Sequence, residues 1–125
     1  MILGLGTDCL EIGRVERELM RSEWLPDDGI FTPEEIRHCS SAARPARRFA
    51  AFFAAKEAAC KALGVKVSDL AMFQEVALAP AQNGGFEIVL RDRMESEAGR
   101  LGVRHIHLSI ADDDDWAGAI VILED

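Results

Sequence analysis

The sequence is short of several things, and each shortage counts against a class of function. Cysteine is scarce: Cys9, Cys39 and Cys60 form an odd set with no Cys-x-x-Cys spacing. That argues against a disulfide framework and a structural zinc site, and fits a reducing cytoplasm. Positive charge is the minority sign, with 14 basic against 22 acidic side chains and a net charge of −8. Such a balance disfavours broad binding to nucleic acid or to an anionic membrane. No apolar run reaches the ~18 residues of a membrane span. The opening MILGLGTD lacks a basic n-region and soon meets Asp8 and Glu11, so no secretory leader is expected. No internal repeat or linker divides the chain.

What remains is one domain, residues 1–125, with 49% hydrophobic and 29% charged residues, enough for a single packed core. Residues 2–9 mix Ile, Leu and Gly and read as a strand whose Gly4 and Gly6 suggest close approach of another backbone. Ile12, Val15, Leu19 and Met20 recur at helical spacing from Glu11 to about Trp24, and Pro26, Asp27, Asp28 and Gly29 form a loop. Thr32-Pro33-Glu34-Glu35 is a capping box with proline at the first helical position. Residues 46–63, without glycine or proline, predict a strong helix ended by Gly64. Residues 73–78 and 86–90 read as a hairpin around Asn83-Gly84. Residues 92–101 form a polar helix, and two strands, 106–111 and 116–123, flank the acidic turn Asp112-Asp113-Asp114-Asp115. This order predicts an α+β fold with a mainly antiparallel sheet.

The long helix is the most informative segment. Between Phe49 and Leu63 every position except Lys56, Glu57 and Lys61 is Ala, Phe, Cys or Leu, which is the mark of a buried helix. At about 100° per residue, Lys56 falls in the stripe of Phe49, Phe53, Cys60 and Leu63, while Glu57 and Lys61 share a neighbouring face. Charges on such a helix are paired, neutralised or bound to an ion. One reading is a local Glu57–Lys61 ion pair at i, i+4. The other is a site for a cation and a phosphorylated ligand, the carboxylate holding the cation and Lys56 and Lys61 the phosphate. Asp8, at a strand end before a helix, is either a helix cap or a second carboxylate for the cation. Arg37, Arg44, Arg47, Arg48 and Lys56 fall in a stretch free of acidic residues, which makes either a solvated basic face or an anion site. His105 and His107 share a face of their strand with Ser109. One histidine is expected to contact a ligand and the other to sit at the surface. The cysteines read as buried small hydrophobes, and the acidic turn as solvated, since it lacks the spacing of a calcium loop.

Together these motifs resemble the holo-acyl-carrier-protein synthase family, the small bacterial type of 4′-phosphopantetheinyl transferase. The resemblance rests on Gly4-Leu5-Gly6-Thr7-Asp8 with Glu11-Ile12 and Arg14, and on Phe53-Ala54-Ala55-Lys56-Glu57-Ala58 with Lys61-Ala62-Leu63-Gly64. Phe73-Gln74-Glu75-Val76, His107-Leu108-Ser109-Ile110 and Ala117-Gly118-Ala119-Ile120-Val121 follow in the family's order. The resemblance implies a 4′-phosphopantetheinyl transferase-like fold with a long buried helix. It implies transfer of 4′-phosphopantetheine from coenzyme A to a serine of an acyl carrier protein, with release of 3′,5′-ADP. It further implies Mg²⁺ on Asp8 and Glu57, Lys61 at the phosphates, and a cytoplasmic homotrimer with active sites between subunits; the carrier serine needs a base, and Glu57, directly or through a metal-bound water, is the candidate. Lys56, Arg47, Arg48, Gly64, His107 and Ser109 are expected around coenzyme A, and Arg14 and Arg21 at the docked acidic carrier, although Glu16, Glu18 and Glu23 share that helix. The chain departs from the family at Phe52 (usually Arg), at Lys66 (commonly Gly), at Gly84-Gly85-Phe86 (usually Gly-Lys-Pro) and at Asp112 (often His). Those departures leave open a noncatalytic relative that binds a carrier protein or nucleotide.

Overall fold

The computed structural model describes residues 1–21 and 29–125. Strand β1 (Ile2–Glu11) runs into helix α1 (Ile12–Met20), followed by α2 (Pro33–Ser40) and the long α3 (Pro45–Leu63). A short 3₁₀ helix (Leu70–Glu75) leads into β2 (Val76–Pro80) and β3 (Phe86–Leu90); then come α4 (Asp92–Leu101), β4 (His105–Asp112) and β5 (Trp116–Glu124). The strands form an antiparallel sheet in the order β1-β5-β4 and a separate hairpin β2-β3. This is the expected α+β architecture.

Helix α3 is the core. It lies against β1 and β5, and all but six of its 19 residues are buried. Its position depends on two glycines of β1. A Cβ at Gly4 would sit 2.1 Å from the Ala62 carbonyl oxygen, and one at Gly6 only 1.9 Å from that of Ala58. The strand backbone therefore touches the helix backbone, as the two glycines suggested. Ala117, Ala119, Val121 and Leu123 of β5 complete the buried inner face. Gly64 ends α3 in the left-handed region at φ 70°, its N–H donating to the Lys61 carbonyl. At α2 the capping box is complete: Thr32 Oγ1 accepts from the Glu35 N–H, and the Glu35 carboxylate accepts from the Thr32 N–H.

Two expectations change, and one lies outside the described residues. Residues 73–75 are not strand; they belong to the 3₁₀ helix. Asp69 caps that helix by accepting from the Met72 N–H, and the carbonyls of Phe73 and Val76 turn toward a buried lysine instead of a neighbouring strand. The first helix is α1, and Glu23, Trp24, Pro26, Asp27 and Asp28 lie outside the described residues. Of the cysteines, Cys39 and Cys60 are buried as expected and their thiols are pushed up, to about 12 and about 11, by that burial. Cys9 is exposed, on the same outward side of β1 as Leu5, Thr7 and Glu11.

The close seam predicts opposite effects for two glycine substitutions. Gly6→Ala forces backbone against backbone and should destabilise the fold by about 3 kcal/mol. Gly99→Ala, in α4 with nothing near its Cβ, should stabilise it by about 0.5–1 kcal/mol. Urea unfolding of both variants checks this; a tolerated Gly6→Ala would contradict the seam.

Candidate functional site

The three charges of α3 meet three different fates. Lys56 points inward and is 0% exposed. Its ammonium donates to the Phe73 carbonyl at 2.9 Å and the Val76 carbonyl at 2.7 Å, and pairs with the equally buried Glu35 at 2.8 Å. Glu35 is itself held by the N–H groups of Thr32 and Leu78. Burial pulls the Lys56 pKa below the ordinary lysine value, and Glu35 opposes that pull. The expectation that Lys56 touches coenzyme A is therefore corrected. All three of its protons are spent inside the protein, where it ties α2 and the 3₁₀ helix to α3. A buried pair of this kind is costly to break, because either partner alone is an uncompensated charge.

Lys61 points out at the edge of the seam. Its ammonium donates to Asp8 Oδ1 at 2.9 Å and to the Thr7 carbonyl at 3.0 Å. The ion pair here is Lys61–Asp8, not the local Glu57–Lys61 pair that spacing allowed. The hydrogen bond to Asp8 raises the Lys61 pKa. Asp8 Oδ2 is buried and has no partner, alone in that respect among the buried side-chain polar atoms of the described residues. Glu57 stands half-buried beside it. Its carboxyl is pushed up to about 7, first by burial and then by the adjacent Asp8, against the pull of Lys61 and Arg14. Two carboxylates and one lysine thus share a small, partly desolvated space. Fully ionised, it carries a surplus negative charge and one unsatisfied oxygen.

A cavity of about 390 Å³ opens nearby, between the first half of α3, the β2–β3 turn and β4. Arg48, Phe52, Asn83, Phe86, Ser109 and Asp112 are among its lining. Ile110, which also lines it, and Asp8 flank the same Ala119 from opposite sides. Two strand spacings, about 10 Å, therefore separate the backbone of Ile110 at the cavity wall from that of Asp8. Among the described residues Arg48 is the one cation on this wall, and it lies over the Phe86 ring at 5.0 Å.

Other expected residues are distributed as follows. Arg47 is committed elsewhere: it pairs with Asp112 at 2.6 Å and with Asp114 at 3.4 Å, so of the two arginines only Arg48 reaches the cavity. Arg44 also pairs with Asp114. The acidic turn and the basic stretch therefore hold each other, and neither is simply a solvated face. Gly64 serves as the cap of α3. His105 and His107 share the outer sheet face, rings 6.5 Å apart, and His107 pairs with Glu124 at 3.1 Å. Arg14 is exposed on α1 near Glu57, whose charge it favours. Arg21 pairs with Glu18 at 3.5 Å. Among the described residues no three His, Cys, Asp or Glu side chains converge as a metal cluster, so any ion held here relies on Asp8 and Glu57. Sequence reading missed Asn83 as part of the wall and took Phe52 and Phe86 only as departures. Their signal was present in that both departures are phenylalanines.

Comparison with known proteins gives one consistent relationship. Residues 4–121 match the 4′-phosphopantetheinyl transferase superfamily. A holo-[acyl-carrier-protein] synthase of Koribacter versatilis is 38% identical over 125 residues, the full length of both chains. The crystal structure of holo-[acyl-carrier-protein] synthase from Neisseria meningitidis superposes with a TM-score of 0.87 at 29% identity, covering 100% of each chain. The Bacillus anthracis synthase in complex with CoA (3′,5′-ADP) gives 0.76 at 26% identity, covering 98% of this chain and 96% of that one.

The raised Glu57 carboxyl sets a pH signature. Between its ordinary 4.5 and about 7, the folded protein keeps a proton that the unfolded chain has released, so stability falls as pH rises through that window. In EDTA, the wild type should lose thermal stability across it relative to Glu57→Gln. Parallel profiles for the two proteins would contradict the assignment.

Proposed function

The chain belongs to the 4′-phosphopantetheinyl transferase superfamily, and on that premise we propose that it transfers 4′-phosphopantetheine from coenzyme A to a serine of an apo acyl carrier protein. The observation that carries this reading is the Asp8–Glu57–Lys61 group, which places two carboxylates and an ammonium beside a cavity of nucleotide size. A noncatalytic relative would have no use for an unsatisfied buried carboxylate oxygen.

The reaction joins the serine oxygen to the phosphorus that bears the pantetheine arm. It breaks the pyrophosphate bond on the adenosine side, so 3′,5′-ADP leaves. Positioning and charge neutralisation are the main needs of such a transfer. Glu57, with its carboxyl near neutrality, is suited to take the serine proton. Lys61 already sits on Asp8 and is exposed on its far side, free to follow charge developing on the phosphates. The cavity, whose Ile110 lies two strands across from Asp8, suits the nucleotide end of coenzyme A, with Arg48 facing its phosphate.

Mg²⁺ fits the same residues. It is commonly held by one or two carboxylates together with substrate phosphates and waters, and the orphaned Asp8 Oδ2 next to Glu57 is a ligand pair of that kind. Bound there, the ion would neutralise the pyrophosphate. Arg14, on the rim nearest Glu57, is the residue of α1 best placed to meet an acidic carrier; Arg21, engaged with Glu18, would contribute more weakly.

We also propose a homotrimer in the cytoplasm. The outer sheet face supports it: Leu5 is 64%, Ile120 47% and Trp116 49% exposed, a concentration of apolar surface that association would cover. His107 and Ser109 stand on that face, opposite Ile122 and Ile120. In a trimer built through this sheet, they would meet ligand at the subunit boundary.

Incubation with apo carrier protein, coenzyme A and Mg²⁺ should add one phosphopantetheine to the carrier's mass, and EDTA should prevent the gain. Glu57→Ala and Asp8→Ala should each slow transfer by at least about 100-fold. Full activity in Glu57→Ala would sink the assignment of the site.

A further inference from the structure

His38, at the end of α2, belongs to no expected site, yet it organises the cavity wall. Its ring is parallel to Phe52 at 3° and 5.7 Å and meets Phe86 edge-on at 5.2 Å; Phe52 and Phe86 are themselves 5.0 Å apart. Arg48 closes the cluster. Its Nη1 lies 3.0 Å from His38 Nε2, and its guanidinium lies over Phe86. An arginine only donates, so Nε2 must accept, and the proton of the neutral imidazole is on Nδ1. The guanidinium is therefore fixed by two features, an acceptor nitrogen and an aromatic face.

We infer that His38 is a positioning residue for the transferase: its neutral imidazole holds Arg48 at the cavity wall in the orientation that receives the phosphate of the nucleotide end. This rests on the proposed use of coenzyme A. Protonation removes the acceptor lone pair and sets a second positive charge against the guanidinium, so Arg48 is released. On α2 the charges near His38 are Glu34, which pairs with Arg37, and Glu35, which is committed to Lys56. From α3 comes Arg48 itself; from β2 and β3 the residues sharing its pocket are Leu78, Pro80 and Phe86. Histidine is the side chain whose charge changes across about pH 5–8, so nucleotide affinity should respond to acidity through this contact.

The test is calorimetric binding of 3′,5′-ADP to the wild type, His38→Gln, His38→Ala and Arg48→Ala between about pH 8 and pH 6, beside the transfer assay. At the alkaline end the wild type should bind roughly tenfold more tightly than His38→Ala, with Arg48→Ala at least as weak. On acidification the wild type should approach His38→Ala. His38→Gln, whose amide oxygen accepts from Arg48 without titrating, should retain affinity, so that the ratio of wild type to His38→Gln changes with pH. Comparison at equal pH cancels titration of the ligand and of Glu57. Parallel pH profiles for the wild type and His38→Gln, or wild-type affinity in His38→Ala, would overturn the role of His38 while leaving the transferase intact. A wild type that neither transfers nor binds 3′,5′-ADP would overturn the functional reading and this inference together.

Discussion

The contact between the backbones of β1 and α3 is the constraint on which the rest depends. Gly4 lies on the Ala62 carbonyl and Gly6 on that of Ala58. Two residues of strand advance about 6.8 Å and four of helix about 6 Å, so successive inward positions of the strand meet successive turns of the helix. Side chains at positions 4 and 6 would force the elements apart. Asp8 is the next inward residue. Because the first two carry no side chain, its carboxylate is delivered to the helix surface within reach of Lys61 and beside Glu57.

The same closeness sorts the charges of α3. Adjacent residues on a helix diverge by about 100°, so Lys56 and Glu57 face different surroundings. Lys56 enters the protein and is satisfied by Glu35 and two carbonyls. Glu57 stays in the half-buried margin where its ionisation is disfavoured. The first charge fastens α2 and the 3₁₀ helix onto α3; the second remains available for chemistry. A lysine and a glutamate side by side in one motif therefore divide structure and reactivity between them.

How much of this was legible in the sequence depended on the range of the interaction. Local signals were sufficient for the capping box at Thr32, the glycine cap at Gly64, the buried helix and the hairpin around Asn83. The glycines of β1 indicated a close approach, and the pairing of Asp8 with Glu57 followed from family resemblance, not from spacing. What spacing left undecided was set by long-range partners. Lys56 meets Glu35 from 21 positions away and donates to the Phe73 carbonyl of the 3₁₀ helix and to the Val76 carbonyl at the start of β2. Lys61 prefers Asp8, 53 positions away, to its neighbour Glu57. Arg47 finds Asp112 across the fold, a partner invisible when the basic stretch and the acidic turn are read separately. The replacement of the family's usual arginine by Phe52 also gains sense only in three dimensions, where that ring packs with His38 and Phe86.

The central claim is that Asp8 and Glu57 form a carboxylate pair suited to a divalent cation, with Glu57 carrying the proton that the ion displaces. It is tested most directly by calorimetry of Mg²⁺ binding just below neutrality in buffers of different ionisation enthalpy. Because Glu57 titrates near about 7, cation binding should displace its proton. The account predicts release of a substantial fraction of one proton per ion in the wild type and none in Glu57→Gln. Binding without proton release, or release unchanged in Glu57→Gln, would contradict it.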